Sequence, residues 1–118
     1  MGITAITATV ANAADRTRSA AVRFIVDSGA AYSVVPASVL ERIGVEADMT
    51  KEFFLANGDC VERRMGIAVF EYRGTVTASS VIFGEEDDAP LMGVTTLEGF
   101  GFVLDPFKRE LRPMPMRL

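Results

Sequence analysis

Two β-type runs, Glu52-Phe53-Phe54-Leu55-Ala56 and Cys60-Val61-Glu62-Arg63, are separated by Asn57-Gly58-Asp59. Asn-Gly between such runs is the strongest short-range hairpin signal, because both central turn residues must tolerate positive φ. A hairpin in the middle of the chain commits its neighbours to an antiparallel sheet, and the flanking sequence follows the same grammar. Ile3 to Val10 alternates β-branched with small residues, Ala11-Asn12-Ala13-Ala14-Asp15-Arg16 is a polar connection, and Ala21 to Val26 resumes β character. Ile67 to Tyr72 and Thr75 to Phe83, divided by Arg73-Gly74, predict a further hairpin.

Helical signals are few. After an extended Ser33-Val34-Val35, the segment Pro36 to Gly44 has Pro near its start, apolar residues at 39, 40 and 43, and Gly at its end, which predicts one short helix. Thr95-Thr96-Leu97-Glu98 matches a capping box and predicts that a second helix starts at Thr95, with Gly99 and Gly101 ending it. Phe102 to Leu104, the turn at Asp105-Pro106 and Glu110-Leu111-Arg112 read as a closing pair of strands. The acidic run Glu85-Glu86-Asp87-Asp88 reads as a solvated loop. Many short strands, two short helices and no βαβ alternation predict an all-β, mainly antiparallel fold. The 118 residues, 49% of them hydrophobic, suit a single domain over 1–118.

Composition narrows the chemistry. The chain has no histidine and one cysteine, Cys60. That removes the usual base for a serine or cysteine nucleophile, an internal disulfide and a cysteine-rich zinc site. Hydrolytic chemistry would rest on carboxylates, on a metal held by oxygen ligands, or on lysine, a route made unpromising by there being only Lys51 and Lys108. No metal and no cofactor is expected. Twelve basic against sixteen acidic residues give a net charge of −4, with the basic residues mostly scattered, which points to neither nucleic acid nor an anionic membrane as a partner. The start of the chain lacks the pattern of a signal peptide, and no apolar run approaches the roughly 20 residues of a membrane span. A cytoplasmic location is the expectation. Cys60, the methionines including Met114 and Met116, and Phe53, Phe54, Phe100 and Phe102 are expected to serve packing, although some of the phenylalanines could line a pocket.

One carboxylate stands out. Phe24-Ile25-Val26-Asp27-Ser28-Gly29-Ala30 runs an apolar strand into an aspartate and a turn. Asp-Ser-Gly is good turn chemistry, and on the strand alone a turn former explains Asp27 as well as a functional group does. The small residues Gly29, Ala30 and Ala31 and the local donor Ser28 favour close approach of another group. A single carboxylate cannot serve as both acid and base toward one water and one scissile bond. Asp15, Asp48, Asp59, Asp87 and Asp88 lie in polar stretches, and Asp105 precedes a proline with no Ser-Gly after it. The remaining source of a second carboxylate is Asp27 of another copy, brought in by a two-fold axis.

Taken together, these motifs resemble those of the retropepsin-like aspartic proteases over nearly the whole chain. Asp27-Ser28-Gly29-Ala30 matches the family's catalytic motif after an apolar strand, Asn57-Gly58 falls at the tip of its flap hairpin, and Leu91-Met92-Gly93 matches the hydrophobic-hydrophobic-Gly segment before its C-terminal helix. The resemblance implies a closed, barrel-like acid-protease fold acting as a homodimer. It implies that two Asp27 carboxylates share a proton and hold the attacking water, that Ser28 braces the two loops, and that Gly29 leaves room for substrate backbone. It further implies that Ala56, Asn57, Gly58 and Asp59 close over an extended peptide or protein substrate, and that Gly93 packs beneath the catalytic loop. Where viral relatives pair their chain ends between subunits, Pro113 and Pro115 each lack a donor on one strand edge. A second reading keeps the fold and the dimer but uses the groove as a peptide-binding or scaffolding module.

Overall fold

A computed structural model describes residues 3–118. The opening hairpin forms as the alternation predicts: β1 (Ala5–Ala11) and β2 (Ser19–Val26) are antiparallel, with Ala8 opposite Val22 and Ile6 opposite Phe24. Inward positions Val22, Phe24 and Val26 are buried, while Arg23 between them is exposed, which is the period of two expected of a half-buried strand. β3 (Ser33–Pro36) leads into α1 (Ala37–Arg42), which begins after Pro36 and ends at Ile43 and Gly44, the glycine taking φ +80°.

β4 (Met49–Phe54) pairs with β5 (Cys60–Tyr72), and β5 pairs with β6 (Thr75–Gly84). The two runs expected at Cys60–Arg63 and Ile67–Tyr72 are therefore one strand of 13 residues shared by both hairpins. Gly66 does not interrupt it; a β-carbon there would lie 2.5 Å from the Glu46 carbonyl oxygen, so the position needs glycine for close packing and not for a turn. β7 (Leu91–Met92), α2 (Val94–Phe100), β8 (Phe102–Asp105) and β9 (Glu110–Pro113) complete the chain.

The main sheet runs β1-β2-β7-β3-β6-β5-β4, and β1 also pairs with β5 through Val10 opposite Phe70, so the pairings close a ring with β4 on its outside. Most pairings are antiparallel. β2 with β7 and β3 with β6 are parallel, because each pair is joined by long connections that carry the chain back across the sheet. β8 and β9 form a separate two-stranded sheet. Inside the ring lie Phe24, Val35, Leu40, Phe70, Val81, Phe83 and Met92, and α2 adds Leu97 and Phe100. Phe24 and Phe70 meet with ring centroids 6.0 Å apart.

Several packing expectations are corrected. Phe54 is 77% exposed and Cys60 is also exposed, since the two face each other at the outer end of the β4–β5 hairpin, beyond the ring. Phe100 is buried, as expected, and Phe53 and Phe102 are half-buried. The acidic loop is not wholly solvated: Arg63 Nε and Nη2 reach the Asp88 carboxylate at 2.7 and 3.1 Å, and Asp88 also accepts from the Glu85 amide. Asp105 is nearly buried and structural, accepting from the amides of Phe107 and Lys108 and from Arg112.

Candidate active site

Strand β2 ends at Val26, and Asp27 is the first residue of the loop that follows, half-buried where the strand's inward row stops. Its side chain is oriented locally: Gly29 N–H donates to Asp27 Oδ1 at 2.9 Å, and Ala30 N–H donates to the Asp27 carbonyl at 3.2 Å. These bonds make a tight turn that projects the carboxylate beside small residues. Ser28 and Gly29 are exposed, and Ala30 is half-buried.

The loop is held from below by the segment of the second motif. Asp27 N–H donates to the Met92 carbonyl at 3.0 Å, and Gly93, which is buried, caps the start of α2. The capping box expected at Thr95 does not form. Gly93 is the N-cap and makes no side-chain cap, and Thr95 lies within the helix. Instead the carbonyls of the Asp27 loop satisfy the helix's first amides: Val94 N–H donates to Ala30 at 2.8 Å and Thr95 N–H to Ala31 at 3.0 Å. Such an arrangement needs backbone against backbone. A β-carbon on Gly93 would lie 2.6 Å from the Tyr32 carbonyl group and 2.9 Å from the Ala30 oxygen. Gly99 lies inside α2, and the left-handed residue that ends the helix is Gly101.

The β4–β5 hairpin has a longer tip than a two-residue turn. Phe54 faces Cys60, leaving the loop Leu55 to Asp59. Only Gly58 takes a positive φ, at +89°. Asn57 acts through its side chain, accepting from Asp59 N–H at 2.9 Å and donating to its carboxylate at 3.1 Å, while Gly58 N–H closes onto Leu55. Ala56, Asn57, Gly58 and Asp59 are all exposed at this tip.

Between the arm and the Asp27 loop runs a groove of about 460 Å³. Ala30, Ala31 and Tyr32 form one wall, Phe53, Phe54 and Leu55 another, and Leu91 and Ile82 lie between them. Tyr32 and Phe53 meet edge to face, centroids 6.4 Å apart, which joins the loop to the arm. Arg63 and Asp88 also border the groove. Asp27 is not among its lining residues; the groove passes beside the aspartate along Ala30 to Tyr32. The structure thus brings Asp27–Ala30 and Leu91–Gly93 into direct contact and sets the tip residues 56–59 at the end of the arm. Sequence reasoning missed Tyr32, Arg63 and Asp88. No local pattern marks them, since each acquires its place from a partner 21 to 25 residues away.

Among the described residues, no helix is long and apolar enough to cross a membrane, and no three Cys, Asp or Glu side chains group as metal ligands would. No curated protein matches the sequence. In fold the chain is similar to a crystal structure of a retropepsin-like aspartic protease from Rickettsia conorii, with 22% identity, coverage of 93% of this chain and 88% of that one, and a TM-score of 0.50. The family model for aspartyl proteases matches residues 5–96, a span that begins with β1 and takes in the Asp27 loop, the β4–β5 arm and the start of α2. With that match covering most of its length, the chain belongs to the aspartyl protease family.

Proposed function

We propose that the protein is an aspartic endopeptidase that works as a homodimer and cleaves extended peptide or protein substrates. The observation that carries this reading is Asp27 itself, a carboxylate at the end of a half-buried strand, oriented by Gly29 N–H and clamped onto the Met92–Gly93 segment. With no histidine in the chain, a second Asp27 from a partner copy supplies the other half of the acid–base pair.

In this reading one Asp27 carboxylate takes a proton from water as the water oxygen attacks the substrate carbonyl carbon. Its protonated twin gives a proton to the carbonyl oxygen. Collapse of the resulting diol breaks the C–N bond as the departing amine gains a proton, and the pair again holds one proton between two carboxylates. Ser28 braces the paired loops, and Gly29 and Ala30 leave space for substrate backbone. The arm tipped by Ala56, Asn57, Gly58 and Asp59 serves as a flap that pairs with an extended peptide as an added strand. The groove walls of Ala30, Ala31, Tyr32 and Phe53 suit apolar substrate side chains.

Asp27→Asn tests the reading. The variant should lose cleavage of a peptide library while keeping the mass of the dimer in analytical ultracentrifugation, and a statine-type transition-state analogue should inhibit the wild type. A wild-type dimer that cleaves nothing across a wide pH range and ignores the inhibitor would favour the peptide-binding or scaffolding reading. A wild type that stays monomeric throughout would sink the paired-aspartate mechanism.

A further inference from the structure

Three hydroxyl residues far apart in sequence meet inside the molecule: Ser33 on β3, Ser79 on β6 and Thr96 on α2, exposed by 0%, 6% and 0%. A buried hydroxyl is costly unless paired, and these pair with one another. Ser33 Oγ lies 2.5 Å from Thr96 Oγ1, which lies 3.0 Å from Ser79 Oγ.

The ends of this series fix its direction. Gly93 N–H, which can only donate, reaches Ser33 Oγ at 3.0 Å. The Ser80 carbonyl, which can only accept, takes the Ser79 hydroxyl at 3.2 Å. Each hydroxyl has one hydrogen, so every bond is satisfied when Ser33 donates to Thr96, Thr96 to Ser79, and Ser79 to Ser80. The series also extends beyond Gly93. Its amide belongs to the same peptide unit as the Met92 carbonyl, which accepts from Asp27 N–H at 3.0 Å. One aligned line of hydrogen bonds therefore runs from the Asp27 backbone through the Met92–Gly93 peptide and three side chains to β6. Bonds aligned in this way polarise and stiffen one another.

We propose that Thr96 is a positioning residue for Asp27, acting through Ser33 and the Met92–Gly93 peptide. α2 has only seven residues and no side-chain cap, so little within the helix itself sets its rotation about its own axis. Thr96 sets that rotation by bonding inward to both β3 and β6. The same helix holds the Ala30 and Ala31 carbonyls through Val94 and Thr95, so its rotation also sets the height of the loop that bears the carboxylate. The catalytic part of this inference rests on the peptidase reading; the structural part does not.

Thr96→Val keeps the shape and removes the hydroxyl, while Thr96→Ser restores it. Amide hydrogen exchange followed by NMR should show Asp27 and Gly93 exchanging about tenfold faster in Thr96→Val, with Val10 and Phe70 little changed, and protection returning in Thr96→Ser. On a peptide that the wild type cleaves, Thr96→Val should lower kcat about tenfold with KM within about twofold, and Thr96→Ser should recover it. Val10→Ala, a core change remote from this line of bonds, serves as a stability-matched control. Unchanged exchange at Asp27 and Gly93 overturns the proposal, and so does a kcat loss of the same size in Val10→Ala. If the wild type cleaves no peptide, the peptidase reading fails, and the exchange comparison alone still decides whether Thr96 holds the loop. Should Thr96→Val not fold, Ser79→Ala, which removes the last hydroxyl and with it the acceptor of the Thr96 proton, is expected to give the same pattern at reduced size.

Discussion

Strand β5 passes through two environments. From Cys60 to Arg64 it pairs with the edge strand β4, and most of its residues are exposed, as are Phe54 and Leu55 beyond the turn. From Met65 to Phe70 it forms part of the ring, with Ala68 and Phe70 fully enclosed and β1 alongside. The halves already differ in composition, since Cys60-Val61-Glu62-Arg63-Arg64 carries three charged residues and Met65-Gly66-Ile67-Ala68-Val69-Phe70 carries none. Their surroundings differ as well. Phe70 packs against Phe24 and the interior of the ring, whereas Phe54 faces an open groove. The lesson is that one continuous strand can be scaffold at one end and the wall of an open groove at the other, with a stability gradient along it.

The sharpest way to break this comparison is to truncate one aromatic beside each half, Phe70 within the ring and Phe54 on the strand paired with the exposed half. Phe70→Ala should cost about 3–5 kcal/mol in urea unfolding, because the enclosed ring leaves a cavity that its neighbours only partly fill. A cost no larger than that of an exposed site would erase the proposed gradient. Gly93→Ala comes next. Its methyl group would press on the Tyr32 and Ala30 backbone and should cost about 1–3 kcal/mol, with a larger proportional loss of cleavage than of stability because the shift passes to the Asp27 loop. Equal stability in calorimetry would mean that the loop yields freely.

The ion pair between the arm and the acidic loop is a weaker contributor. Hydrogen bonds from the Arg63 guanidinium hold the Asp88 carboxyl below its ordinary value of 3.8. A carboxylate with a folded value below its unfolded one contributes stability above about 3.8, and loses it as the pH falls through the lower folded value. Asp88→Asn should therefore be less stable than wild type near neutral pH, by under about 1 kcal/mol because solvent reaches the pair, and the two denaturation curves should converge in strongly acidic solution. A gap that widens on acidification would contradict the assignment. Smallest in stability is Phe54→Ser, expected within about 0.5 kcal/mol of wild type. Its effect should appear as a KM raised several-fold toward apolar peptides. An unchanged KM would remove Phe54 from the binding surface.

Much of this architecture was legible beforehand. Alternation placed the opening hairpin, Pro36 and Gly44 bounded α1, and the change from apolar strand to Asp-Ser-Gly located the loop. The continuity of β5 was hidden because Gly66 looks like an interruption until the close approach of Glu46 is known. The capping box failed for a related reason. Thr95-Thr96-Leu97-Glu98 has the right spacing, but the carbonyls of Ala30 and Ala31 arrive first at the helix amides, and no local signal announces an acceptor more than 60 residues away.

The burial of Ser33, Ser79 and Thr96 was hidden in the same way, because each looks like an ordinary polar residue until three separate elements converge. By itself the sequence determined what short-range forces decide: where strands alternate, where turns are cheap, and that any acid–base chemistry must come from carboxylates. Only the tertiary structure decided which strand ends are buried, which carbonyls cap α2, and how the Asp27 loop is held. These outcomes depend on contacts across long stretches of chain, whose free energy appears only when the ring closes.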